Sequence, residues 1–167
     1  KKINKTKITA TRKTLWGLMD KKAVSVGTGL THRLSLNDGI LVKDNHLKLL
    51  NYDFEKIISK IKNKSKYIEI EVENEKQALK AAIAIKNAMK NNKNVFALML
   101  DKIHPKEIKP IIDKMKRINM YDKILFEASG NINESNIINY DDCGVDVISM
   151  GQLTNSAKAL NMSLEVR

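Results

Sequence analysis

Lys13, Lys43, Glu71, Asp101, Ser129 and Ser149 stand at or near the ends of six short apolar runs, and together they read as one site. The runs are Ile8 to Lys13, Gly39 to Lys43, Tyr67 to Glu73, Phe96 to Asp101, Lys123 to Ser129 and Val145 to Ser149. A segment that stays apolar until its last residues and then turns polar is typical of strands in parallel barrels. In those folds the chemistry gathers at the C-terminal strand ends. Two cations, two carboxylates and two small polar residues could hold a polyanionic substrate together with a divalent metal. The chain is therefore expected to be part of an enzyme.

Between the runs lie stretches with helical spacing. Leu18 to Val26 is short and amphipathic, and Phe54, Ile57, Ile58 and Ile61 recur at steps of three and four, as one helix face should. Glu75 to Met89 is rich in alanine, and Pro105 suits the first turn of a helix carrying Ile108, Ile111, Ile112 and Met115. Asn133 or Glu134 opens a short helix through Tyr140, and Thr154 or Asn155 caps the last one. Strand and helix alternate about every 28 residues, the size of a repeated βα unit. The pattern predicts an α/β fold: an incomplete TIM-like barrel of about six parallel βα units, short of the eight in a closed barrel. No low-complexity linker interrupts it, so residues 1–167 are expected to form a single domain.

The 43% hydrophobic content is enough for one buried core, and no apolar run is long enough to span a membrane. The charged start Lys1-Lys2-Ile3-Asn4-Lys5 does not have the pattern of a signal peptide. Cys143 is the only cysteine, which excludes an intrachain disulfide and a cysteine metal cluster and fits a reducing, cytoplasmic compartment. A net charge of +11 raises the question of nucleic acid, yet 5% aromatic residues are too few for a base-stacking platform. Much of the excess is lysine on helix faces expected to be solvated, such as Lys60, Lys64, Lys86 and Lys90. Neither nucleic acid nor a membrane is expected as a partner.

Strict alternation from Tyr67 to Glu73 puts Ile68, Ile70 and Val72 on one face and Glu69, Glu71 and Glu73 on the other. In a barrel the second face lines the interior, where carboxylates need a cation or metal. Ser129-Gly130-Asn131 and Ser149-Met150-Gly151 each follow a late strand and precede an expected helix start, a setting that suits phosphate. At the other end Thr11-Arg12-Lys13-Thr14 and His32-Arg33 supply cations, and the arginine fork can grip a carboxylate with two hydrogen bonds. Of the histidines, His32 is expected to face a ligand, His46 to lie at or just behind the site, and His104 to be a surface residue. No histidine pair has zinc-ligand spacing, and no Ser–His–Asp set is apparent.

These residues resemble the catalytic domain of the quinolinate phosphoribosyltransferase family. The resemblance rests on Thr11-Arg12-Lys13-Thr14, Lys22-Ala23-Val24, Gly27-Thr28-Gly29, His32-Arg33-Leu34 and Leu41-Val42-Lys43-Asp44-Asn45-His46. It continues through Glu69-Ile70-Glu71-Val72-Glu73-Asn74, Met99-Leu100-Asp101, Glu127-Ala128-Ser129-Gly130 and Gly144 to Gly151.

The resemblance implies transfer of phosphoribose from phosphoribosyl pyrophosphate to quinolinate, with Mg²⁺ as cofactor. The products would be nicotinate mononucleotide, CO₂ and pyrophosphate, a step in NAD biosynthesis. By the same resemblance Arg12, His32 and Arg33 grip the quinolinate carboxylates, and Lys13 and Lys43 bridge towards the pyrophosphate. Glu71 and Asp101 hold the ribose hydroxyls and the metal, directly or through water. Ser129, Gly130, Ser149 and Gly151 cradle the 5′-phosphate, and Thr11 and Asn131 complete the substrate-binding set. Lys13, Lys43, Glu71 and Asp101 are the expected catalytic residues.

The family pairs this barrel with an N-terminal α+β domain, which is not expected among these 167 residues. Its members act as homodimers or larger homo-oligomers whose shared sites receive an arginine from a neighbour. The chain is accordingly expected to be a piece of a longer protein; a separate subunit or a remnant without catalysis are the alternatives. Two departures bear on the structure: Thr28 stands where the family usually has Gly, and Asn131 where a second Gly is common.

Overall fold

The computed structural model describes residues 6–90 and 93–166. The charged start at residues 1–5 lies outside the described residues. Six strands, β1 (Lys7–Ala10), β2 (Ile40–Val42), β3 (Tyr67–Val72), β4 (Val95–Asp101), β5 (Leu125–Ser129) and β6 (Val147–Met150), form one parallel sheet. Their order is β1-β6-β5-β4-β3-β2, and β1 and β2, at its two ends, are not paired with each other. The architecture is thus an α/β barrel left open between its first two strands.

The alternating residues of β3 and β4 explain both layers. Ile68, Ile70, Val72, Phe96, Leu98 and Leu100 are wholly buried in one cluster with Ala78, Ala82 and Ile85 of α4 (Glu75–Met89) and Ile108, Ile111 and Met115 of α5 (Pro105–Arg117). Burying each such branched side chain contributes about 1.5–3 kcal/mol, which fixes the strand register. The opposite face, carrying Glu69, Glu71, Met99, Asp101 and Glu127, is then forced inward. β3 is an inner strand, paired on both sides, and not a solvated edge.

At the open side, the Leu30 N–H donates to Ile8 O at 2.8 Å and the Ala10 N–H to Leu30 O at 3.0 Å. This short parallel bridge protects the free edge of β1. It also carries the chain onward to His32 and Arg33 beside the strand ends.

Several helices depart from expectation. α1 (Leu18–Val26) has the expected bounds, but its apolar residues face outward: Leu18, Met19 and Val26 are exposed. α2 (Asp44–Leu49) was not expected; with six residues it is too short to show a period. α3 (Phe54–Ile61) buries Phe54, Ile57 and Ile58, and Asp53 caps it by accepting from the Lys56 N–H at 3.0 Å. α6 (Ile138–Asp141) starts later than expected, because Asn133 accepts from the Ser135 N–H at 2.9 Å and holds a turn at 134–137. The last helix, α7 (Gln152–Asn155), ends where one was expected to begin, and residues 156–166 form no regular element.

Candidate active site

A cavity of about 690 Å³ opens at the C-terminal ends of the strands. All thirteen residues singled out from the sequence line it, on six strand ends and on the segment that follows Leu30. Thr11, Arg12 and Lys13 follow β1, where the Thr154 hydroxyl of α7 donates to Lys13 O at 2.7 Å and holds the turn. His32 and Arg33 come from the bridge segment. The Arg33 Nη1 donates to Gly39 O at 2.5 Å, so one arm of the fork is committed to the fold. Burial first, and then the neighbouring Arg12 cation, pull Arg33 below the usual guanidinium range. Glu69 and Asp38 oppose that shift, and an anion bound beside the two arginines would oppose it further.

Lys43 follows β2 and opens α2. His46 lies outside the cavity wall; its Nδ1 accepts from the Lys43 N–H at 2.9 Å and so shapes the backbone that presents the lysine. His104 is exposed and caps α5, accepting from the Lys106 N–H at 3.2 Å.

Glu71 and Asp101 end β3 and β4 on neighbouring strands. Burial first, and then the Asp101 charge, push the Glu71 carboxyl above its usual range, opposed by Lys43. Lys102 Nζ lies 3.3 Å from Asp101 Oδ2. Among the described residues no cluster of three or more His, Cys, Asp or Glu could hold a metal alone. A pair of carboxylates is nonetheless what Mg²⁺ uses when substrate phosphates and water fill the rest of its octahedron. Glu71 and Asp101 fit that role.

At the far end Ser129, Gly130 and Asn131 follow β5, and Ser149 and Gly151 follow β6. Gly130 has φ +90°, and a Cβ there would meet the Lys102 N at 2.8 Å and Asp101 Oδ1 at 2.9 Å. Glycine is thus what lets the β5 loop approach the Asp101 carboxylate. Asn131 also lies in the left-handed region, at φ 56°, which asparagine tolerates better than most residues. Only Gly151 leads directly into a helix; the β5 loop passes through the 134–137 turn first, so the second expected helix start is not there.

The sequence reading assigned no role to two buried groups at this site. Glu127 of β5 lines the cavity floor, 7% exposed. Burial first, and then the neighbouring Glu69, push its carboxyl well above the usual range, while the Ser149 hydroxyl works the other way. The period of two that places Ser129 inward also places Glu127 inward, so the signal was present. Lys21 of α1 is the second, buried behind the cavity wall, and no local pattern marks it.

Residues 1–165 match the family model described as quinolinate phosphoribosyl transferase, C-terminal domain. A probable carboxylating nicotinate-nucleotide pyrophosphorylase of Methanocaldococcus jannaschii is 38% identical over 175 residues, covering 99% of this chain and 58% of that protein. Its counterpart in Methanothermobacter thermautotrophicus is 36% identical over 166 residues, covering 96% and 56%. The solved nicotinate-nucleotide pyrophosphorylase from Francisella tularensis superposes with a TM-score of 0.77 at 32% identity, covering 98% of this chain and 54% of that one. The chain thus spans a little over half the length of the relatives it matches.

Proposed function

Because the chain belongs to the quinolinate phosphoribosyltransferase family, matching its C-terminal domain, we propose that it is the catalytic barrel of a carboxylating nicotinate-nucleotide pyrophosphorylase. The reaction would join quinolinate to phosphoribosyl pyrophosphate and release CO₂ and pyrophosphate. The observation that carries this reading is the convergence of Arg12, Lys13, His32, Arg33 and Lys43 with Glu71 and Asp101 around one cavity.

In this reading Arg12, Arg33 and His32 orient the two acceptor carboxylates, and Ser129, Gly130, Asn131, Ser149 and Gly151 receive the 5′-phosphate. Holding both anionic substrates in one cavity turns a bimolecular encounter into an oriented one. Glu71 and Asp101 stabilise positive charge that develops on the ribose as pyrophosphate leaves, and Lys13 and Lys43 offset charge on the departing group. Mg²⁺, held by Glu71 and Asp101, would add further neutralisation of that leaving group. Loss of CO₂ is then favoured by the cationic ring nitrogen formed on glycosylation. Retention of Arg12, Arg33 and His32 together supports an acceptor with two carboxylates.

The remainder of the active unit would come from elsewhere. A partner domain and a second subunit are the proposed covers for exposed apolar residues beside the cavity, among them Leu15, Trp16, Leu18 and Met19. Calorimetric titration of the full-length protein with quinolinate, and then with phosphoribosyl pyrophosphate and Mg²⁺, tests the reading. Saturable heat with both and formation of nicotinate mononucleotide are expected; absence of heat with either substrate overturns it.

A further inference from the structure

Of the described residues in α1, one is buried, and it is Lys21. It is 3% exposed, whereas the apolar Leu18, Met19 and Val26 of the same helix are 67–72% exposed. A buried ammonium is costly unless hydrogen bonds or an opposite charge receive it. Lys21 Nζ is received by two carbonyls, donating to Ala10 O at 2.7 Å and to Thr31 O at 3.3 Å. Ala10 immediately precedes Thr11, Arg12 and Lys13, and Thr31 immediately precedes His32 and Arg33. One side chain therefore ties together the roots of the two cation-bearing segments. Lys21 does not itself line the cavity.

We propose that Lys21 is a positioning residue: it sets the separation of the Thr11–Lys13 and His32–Arg33 segments and so makes the acceptor end selective for two neighbouring carboxylates over one. Gripping two carboxylates needs cations from both segments in register at once. A single carboxylate can be served by either segment alone, whatever their spacing. Loosening the tie therefore penalises the dicarboxylate and spares the monocarboxylate. This inference rests on the acceptor site proposed above.

The test compares calorimetric binding of quinolinate and of nicotinate by the full-length protein and its Lys21→Met variant. Quinolinate binding is expected to weaken by about 10- to 100-fold, the scale of a small misplacement of binding groups, while nicotinate changes by less than about twofold. Unchanged binding of inorganic phosphate reports that the variant is folded. Equal weakening of both carboxylates, or no weakening of quinolinate, overturns the inference. Should Lys21→Met not fold, Lys21→Gln carries the same test, since its shorter amide reaches one carbonyl and not both; an unchanged preference then overturns the inference. Wild-type protein that binds neither carboxylate is a separate outcome, which overturns the proposed function and this inference with it.

Discussion

His32 Nε2 lies 3.8 Å from Glu69 Oε2, with its ring edge-on to Tyr67 at a centroid distance of 4.5 Å. Among the described residues neither that nitrogen nor the second oxygen of Glu69 has a hydrogen-bond partner. Each is shielded from solvent and borders the cavity. A shielded polar atom without a partner costs free energy that a ligand can recover. The pair therefore marks where the cavity is unfinished without an occupant.

Ligand binding should accordingly stabilise the protein. At a free quinolinate concentration about one hundred times Kd, the expected gain is about 2.7 kcal/mol, read as a rise in Tm. His32→Ala should lose most of that rise while leaving the shift produced by inorganic phosphate intact. An undiminished quinolinate shift in the variant would remove His32 from the proposed acceptor site.

Glu127 sets the direction of the pH response. Its carboxyl titrates higher in the fold than in the unfolded chain, near pH 8 and not near 4.5, because burial and Glu69 oppose its ionisation. Between those values the unfolded chain binds fewer protons than the folded one, so this group's contribution to stability falls as pH rises. It is fully present below about pH 4.5 and is lost through pH 8. Glu71, shifted in the same direction, adds to the trend. Urea midpoints measured from pH 5 to pH 8 should fall for the wild type, and more gently for Glu127→Gln, which has no proton to lose.

Lys43→Ala and Glu71→Ala separate chemistry from folding. Lys43 is exposed and Glu71 half-buried, so each change should move stability little, about 0.5 kcal/mol for the lysine. Turnover should fall by about 100-fold or more, the scale for removing one charge-stabilising group from a transition state. Steady-state kinetics beside thermal melts check this. A variant with wild-type kcat would remove that residue from the catalytic set.

Thr28 occupies a backbone conformation suited to glycine. Its φ is +68°, its side chain is β-branched and exposed, and its N–H donates to Ser25 O at 2.9 Å as α1 ends. Left-handed φ in such a residue costs on the order of 1–3 kcal/mol. Thr28→Gly should therefore stabilise the protein by about 1 kcal/mol, with no change in KM for either substrate. A lower Tm in the variant would show that the threonine side chain makes a compensating contact.

The strand ends were legible because alternation is local. The period of two from Tyr67 to Val72 separates Ile68 and Ile70 from Glu69 and Glu71 before any neighbour is known, and the structure buries the first pair against α4 and α5. The same period carries Ser129 and Ser149 to one face, and all of these meet at one cavity because parallel strands end together. Short elements escaped that reasoning. α2 and α7 each run for less than two turns, so too few side chains recur on one face to show a period, and the Asn133 turn delays α6 by hydrogen bonds that periodicity does not register.

By itself, then, the amino-acid order determined the alternation of strands and helices, the inward face of β3 and β5, and the charged strand endings, since each depends on residues two to four apart. The tertiary structure alone decided that Lys21 is buried and that one oxygen of Glu69 is left without a hydrogen-bond partner among the described residues. A lysine amid an exposed helix reads as solvated until Ala10 and Thr31 bring their carbonyls to it, and Glu69 is crowded only once Glu127 arrives from two strands away. Burial is a sum over elements distant in sequence, and hydrogen bonding and charge at this site are governed by burial.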